Sequence, residues 1–163
     1  MTQAFTTMLG IGHLRPAPGT WGSVAAVLIA YGLHIVVGPV GIAIALAVTI
    51  AFSPRAIAAH INATGHKDPS EVVIDEAAGQ WLALLPVSIG AWHVGAPAMA
   101  LWPGWVSAFV LFRLFDIWKP WLVGRADAKG TAWGVLEDDL WAGLFAALGT
   151  VALAALSHGV LMR

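Results

Sequence analysis

The sequence predicts an all-α, polytopic integral membrane bundle of about five transmembrane helices, on three observations. Of its 163 residues 59% are hydrophobic and only 10% are charged, against about 25% charged in an ordinary soluble domain. The mean hydropathy is +0.80. The few charges are also clustered: no Asp, Glu, Lys or Arg occurs from Pro16 to Pro54, from Ala77 to Phe112 or from Leu140 to Met162. A water-soluble fold of this size has no interior that could hide so much apolar surface, so the bilayer must be its solvent. The length suits one domain over residues 1–163.

A spanning helix needs about 20 predominantly apolar residues. The first neutral stretch holds two, expected at 21–37 and 41–60, with Gly38-Pro39-Val40-Gly41 as the turn between them. The second holds two more, 76–92 and 97–118, divided around Gly90 to Pro97, and the third holds one, 139–161. Five spans put segments 1–20, 54–75 and 119–138 on one side. These carry Arg15, Arg55, Lys67, Lys119, Arg125 and Lys129, with Arg113 close to the same face and Arg163 alone on the other. Because cytoplasmic loops carry the Lys/Arg excess, that face is expected to be cytoplasmic and the C-terminus outside. Every acidic residue falls on the cytoplasmic side too. Trp21, Trp118, Trp121, Trp133 and Trp141, near proposed helix ends, read as an interfacial aromatic belt.

Composition also excludes. A net charge of −1 indicates no nucleic-acid footprint, and the absence of cysteine rules out disulfides, thiolate metal sites and cysteine nucleophiles. The N-terminal residues lack the basic region of a cleaved signal peptide. His34, His60, His93 and His158 read as helix or interface residues and His66 as a loop residue, leaving His13 as a candidate phosphate contact.

Four segments can carry chemistry. Gly10 to Ser23, rich in Gly and Pro, leads into a helix that offers Thr20 and Ser23 at an N-terminus; this suits an anion such as phosphate, and equally a capped turn. Asp75 and Glu76 precede an apolar helix, where acids favour the helix dipole. Adjacent helical positions diverge by about 100°, so one is expected to ligate while the other orients it or binds a second ion. Arg113, Asp116 and Lys119 stand at i, i+3, i+6 on a helix end, so Asp116 is expected to share a face with each of the other two. Charges within membrane helices are functional by default. Glu137, Asp138 and Asp139 are expected to open the last helix; an Asp N-cap explains one acid, not three. Carboxylates from three helix ends beside Arg and Lys suit a hard cation such as Mg²⁺ and phosphoryl chemistry, without separating hydrolysis from transfer or ion transport.

The strings APGTWGS (Ala17 to Ser23), VVIDEAAGQW (Val72 to Trp81), FRLFDIWKPW (Phe112 to Trp121) and GVLEDDLWAG (Gly134 to Gly143) resemble, in order and spacing, the phosphatidylglycerophosphatase A family. These are bacterial membrane enzymes that remove the terminal phosphate of phosphatidylglycerophosphate to give phosphatidylglycerol. The resemblance implies Mg²⁺-associated carboxylates at Asp75, Glu76, Asp116, Asp138 and Asp139, with Arg113 and Lys119 on the phosphate. It also implies a site facing the cytoplasm from the inner membrane. The chain departs from the pattern at Leu122-Val123, where relatives often repeat a Pro, and in TAWGV before the acidic pair; neither change removes a charge. Glu137 falls at a variable position and takes no role. Attack by metal-activated water is the expected mechanism, with an aspartyl-phosphate through Asp75 or Asp116 as the alternative. Two rival functions are a lipid-head-group phosphotransferase, whose single long Asp/Gly/Ala-Arg motif is not seen, and a divalent-cation transporter, which would place its acids near the bilayer midplane.

Overall fold

In a computed structural model of the chain, residues 2–65 and 69–161 are described, and every regular element among them is helical. His66, Lys67 and Arg163 lie outside the described residues, and with them the expected position of the C-terminal charge. The order is α1 (Thr2–Thr6), a 3₁₀ turn at Ile11–His13, α2 (Pro18–Val37), α3 (Pro39–Thr64), α4 (Ile74–His93), a 3₁₀ turn at Ala98–Leu101, α5 (Trp102–Trp118), α6 (Leu122–Asp127) and α7 (Ala132–Leu156), which runs into a π turn at Ser157–Leu161.

The five long helices fall where the charge-free stretches put them, but α2, α3, α4 and α7 begin earlier than expected and α5 begins later, behind the 3₁₀ turn at Ala98–Leu101. Pro18 and Pro39 occupy the first turns of α2 and α3, positions where proline's fixed φ suits a helix and its missing N–H costs nothing. Consequently Thr20 and Ser23 lie inside α2, with Ser23 in its second turn. In α7 the cap is Thr131, whose hydroxyl accepts a hydrogen bond from the Gly134 N–H at 3.0 Å. The acids at 137–139 therefore do not open the helix. They sit beyond its first turn, which is what lets Asp138 and Asp139 turn inward.

Among the described residues, four helical stretches are long and apolar enough to cross a membrane: Pro18–Val37, Pro39–Thr64, Ala98–Trp118 and Ala132–Gly159. The fifth expected span, α4, has the length but a more polar sequence, with Asp75, Glu76, Gln80 and Ser88 among its 20 residues. It is the central helix: 12 of its 20 residues are buried, against 5 of 20 in α2 and 3 of 17 in α5. Sheltered by its neighbours, α4 need not match lipid all round. The surrounding helices instead turn Leu28, Ile29, Ile44, Val48, Phe52, Val106, Val110, Leu148 and Val151 outward, the apolar exterior a bilayer requires and water would not tolerate.

Small residues set the closest approach. A Cβ on Gly143 of α7 would stand 2.2 Å from the Gly79 carbonyl oxygen, and one on Gly79 of α4 would stand 2.5 Å from both the Asp139 carbonyl oxygen and the Phe112 ring. Three helices, α4, α5 and α7, thus meet at Gly79 at a distance only glycine permits. This contact lies one turn below Asp75, Glu76 and Asp139.

Candidate active site

The site forms where α2, α4 and α7 begin and α5 ends. Three helix N-termini bring their positive dipole ends to one place, and each contributes inward-facing polar groups from its first two turns. Glu76 is the hub. Its carboxylate is bonded by Arg113 of α5 and accepts from Ser23 Oγ of α2 at 3.0 Å. Arg113 also reaches Asp116 at 3.0 Å and Ser23 Oγ at 3.3 Å. The backbone of Gly19 passes so close that a Cβ there would fall 2.0 Å from Glu76 Oε1, so any side chain at this position would push the carboxylate out of its present place.

Glu76, Asp116 and Asp139 each offer a carboxylate oxygen, all within 4.8 Å of one another. Asp75 and Asp138 stand beside them. Asp75 Oδ1 accepts the Glu76 N–H at 3.0 Å and Asp138 Oδ1 accepts the Asp139 N–H at 3.1 Å, each securing the first group of the residue that follows. Lys119 lies at 2.9 Å from Asp138 and is bonded to Asp127 as well. Burial works against the Lys119 charge, but hydrogen bonds to Asp127 and Asp138, and their charges, raise its pKa above the ordinary lysine value. It is a permanent cation.

These groups enclose a cavity of about 150 Å³, lined by Gly19, Pro69, Ser70, Val72, Val135, Lys119 and six carboxylates: Asp75, Glu76, Asp116, Asp127, Asp138 and Asp139. Against six carboxylates stand Lys119 and Arg113. So great an excess of negative charge in one small space demands either protonation or a bound cation. The donors are all oxygens, the chemistry of a hard divalent ion. Asp139 Oδ1 points in the same direction, being buried with no hydrogen-bond partner among the described residues.

The structure brings together all five acids expected to hold metal, with Arg113 and Lys119. It divides them, placing three in the tight cluster and Asp75 and Asp138 on the wall. Lys119 pairs with Asp138 and Asp127, not with Asp116 as helical spacing implied, because it has left the helix: its backbone is left-handed, φ 50°, at the end of α5. Ser23 is in the site as a partner of Glu76 and Arg113. Thr20 and the exposed His13 are not among the residues lining the cavity. Glu137, given no role, pairs with Lys129.

Sequence reasoning missed Asp127, Gly19 and the Pro69–Ser70 wall. Asp127 had a usable signal, being one of only nine acids in the chain and eight residues beyond Lys119. It also missed Gln80, one turn below Glu76 on α4, fully buried with neither side-chain atom partnered among the described residues.

Fold and site define a class: a helical membrane protein with a carboxylate-rich, cation-competent pocket at one end of its bundle. The family model for phosphatidylglycerophosphatase A matches residues 4–154, and the chain belongs to that family. It is 30% identical over 149 residues to an Escherichia coli protein named phosphatidylglycerophosphatase A, covering 85% of this chain and 74% of the relative. A Haemophilus influenzae protein of the same name is 29% identical over 146 residues, 88% of this chain and 83% of that one. A Bacteroides thetaiotaomicron protein, provisionally named a phosphatidylinositol-3-phosphatase, is 33% identical over 145 residues, covering 85% and 84%. No solved structure matches.

Proposed function

We propose that the chain hydrolyses the terminal phosphate of phosphatidylglycerophosphate to phosphatidylglycerol and inorganic phosphate, with Mg²⁺, at the cytoplasmic face of a bacterial inner membrane. Family membership supports the substrate. The observation that carries the chemistry is the convergence of Glu76, Asp116 and Asp139 within 4.8 Å, flanked by two cations. The basic residues Arg15, Arg113, Lys119, Arg125 and Lys129 gather at the site's end of the chain's topology, while Arg55 lies inside α3; this one-sided distribution supports the cytoplasmic orientation.

Glu76, Asp116 and Asp139 would hold the ion. A divalent cation there supplies Lewis-acid polarisation of a phosphoryl oxygen and a more acidic water. The chain's own residues do the rest. Arg113 fixes the orientation of Glu76 and Asp116 and neutralises part of their charge. Lys119, locked by Asp127 and Asp138, lends permanent positive charge to the cavity wall, where phosphate oxygens gain most. Asp75 lies on the wall with no cation partner among the described residues, and its second oxygen would accept a proton from an attacking water. Asp116 is committed to Arg113, so an aspartyl-phosphate, if formed, would fall to Asp75. The lipid tails remain in the bilayer throughout.

The name of the Bacteroides relative supports a second reading, an inositol-lipid phosphomonoester as substrate. Phosphate release from purified protein distinguishes the two, using phosphatidylglycerophosphate, phosphatidylinositol 3-phosphate and phosphatidate in mixed micelles. Release is expected to be fastest from phosphatidylglycerophosphate, to stop with a chelator and to return with Mg²⁺. Preference for the inositol lipid selects the second reading. No release from any of the three, with cation flux into liposomes instead, overturns both.

A further inference from the structure

We propose that Arg15 reads the phosphodiester of the lipid head group, and so confers preference for lipids bearing both a phosphodiester and a terminal phosphomonoester; this rests on the phosphatase reading above. The cavity of about 150 Å³ is lined by six carboxylates and a single lysine, a lining that suits a cation with one phosphoryl group and repels a second anionic phosphate. The remainder of the head group must leave by the mouth. One lip of that mouth is Ser70, exposed and lining the cavity, and Arg15 Nη1 donates to Ser70 Oγ at 3.3 Å.

Arg15 is held there by the backbone. A Cβ on Gly12 would fall 1.8 Å from the Glu71 carbonyl oxygen, so the N-terminal segment lies directly against the loop that carries Ser70. The Val73 N–H donates to the Thr6 carbonyl at 2.9 Å, joining the same two segments a second time.

Its charge is also available. Arg113 is committed to Glu76 and Asp116, and Lys119 to Asp127 and Asp138. Arg15 rests on a neutral hydroxyl and has no carboxylate partner among the described residues. A serine hydroxyl is a weak acceptor beside a phosphodiester, whose single negative charge is shared by two non-bridging oxygens that match the guanidinium fork. With the monoester among the carboxylates, the glycerol spacer of phosphatidylglycerophosphate carries its diester outward to this lip. An inositol 3-phosphate lipid offers the same pair of groups, whereas phosphatidate has the monoester alone.

The test separates the two phosphates by using the two products as inhibitors of short-chain phosphatidylglycerophosphate hydrolysis. Dihexanoyl-phosphatidylglycerol carries only the diester, and inorganic phosphate carries only the group bound in the cavity. In Arg15→Gln the KM and the phosphatidylglycerol inhibition constant are expected to rise about ten-fold. The kcat and the phosphate inhibition constant should stay within about two-fold, with Arg15→Lys retaining most of the wild-type behaviour. Equal shifts in both inhibition constants, or none in either, overturn the assignment. A wild-type protein that releases no phosphate from this lipid strikes the phosphatase reading instead. In that event calorimetric binding of dihexanoyl-phosphatidylglycerol to wild type and Arg15→Gln still decides the role of Arg15, since equal affinities overturn it.

Discussion

The two ends of α4 bury polar side chains in opposite ways. Toward its C-terminal end, buried His34 of α2 shares a 2.7 Å hydrogen bond with Ser88, and its ring stands edge-on to Trp92 and Trp105 at 6.4 and 6.1 Å. The neighbouring cavity is large, about 550 Å³, and mostly apolar, with Tyr31, Ile35, Trp92 and Met99 in its wall. At the N-terminal end the cavity is about 150 Å³, and its surroundings are left over-supplied. Asp139 Oδ1, Arg113 Nε and both polar atoms of Gln80 are buried without partners among the described residues. Volume alone would select the wrong end. Buried groups that satisfy one another stabilise the bundle, whereas several unsatisfied ones gathered around one acidic cavity call for a water or an ion as partner.

The largest break in that comparison comes from the cluster. Asp139→Asn and Glu76→Gln are each expected to lower phosphate release at limiting Mg²⁺ about a hundred-fold or more, and to weaken Mn²⁺ binding measured by electron paramagnetic resonance at least about ten-fold. Thermal stability in detergent should hold or rise in Asp139→Asn, because one of several crowded negative charges is removed. Wild-type turnover in both variants would remove the metal assignment.

Next is the glycine contact that sets the cluster's spacing. Gly143→Ala places a methyl 2.2 Å from the Gly79 carbonyl oxygen, a backbone atom that cannot swing aside. Separating α4 and α7 would draw Asp139 away from Glu76. Activity is expected to fall about a hundred-fold, the usual consequence of about 1 Å of misplacement, with a loss of about 1–3 kcal/mol in stability. Gly149→Ala is the control on the same helix, since its methyl meets only the movable Leu111 side chain. Equal effects at the two positions would show that spacing at Gly79 is not what aligns the acids.

The far end should respond in the reverse sense. Ser88→Ala leaves buried His34 Nδ1 without its partner and is expected to cost about 1–3 kcal/mol of stability while leaving activity within about two-fold. A thermal scan and a turnover assay on the same preparation read both. A catalytic defect larger than the stability loss explains would mean the ends are coupled.

Much of this contrast was legible in the sequence, for a reason peculiar to membranes. Charges are so costly in the bilayer that the gaps between them outlined the five long helices, and the acids that remained announced the site. Short elements carry no such signal: α1 and α6, of five and six residues, are too brief to show a hydrophobic period. The start of α7 was hidden because its acids resembled a helix N-terminus, while the true cap, Thr131, lay seven residues upstream of Asp138. Nor could pairing be read. Lys119 finds Asp138 and Asp127 through a left-handed backbone on one side of Pro120, with Trp121 also at positive φ, 43°, on the other. Such conformations, costing about 1–3 kcal/mol each, are imposed by tertiary structure. Gly19 looked like turn punctuation until Glu76 was seen against it.

The smallest expected effect marks the boundary of the site. Glu71 is acidic and close in sequence to Asp75, yet it does not line the cavity; it pairs at 3.3 Å with His60, which in turn bonds Thr6 at 2.9 Å. Its carboxyl is held below the ordinary value of 4.5, chiefly by its own backbone N–H, with burial opposing and the His60 hydrogen bond assisting. A carboxyl with a lowered folded-state pKa adds stability that is present above its ordinary pKa and is lost as pH falls through the folded value. The group is partly exposed, 23%, so the contribution is at most about 1 kcal/mol. Glu71→Gln should therefore unfold at a slightly lower temperature than wild type at pH 7, with the two melting temperatures converging as pH drops below about 4. Turnover should remain within about two-fold. A loss comparable to that of Asp139→Asn would move the edge of the catalytic site outward to include the loop before α4.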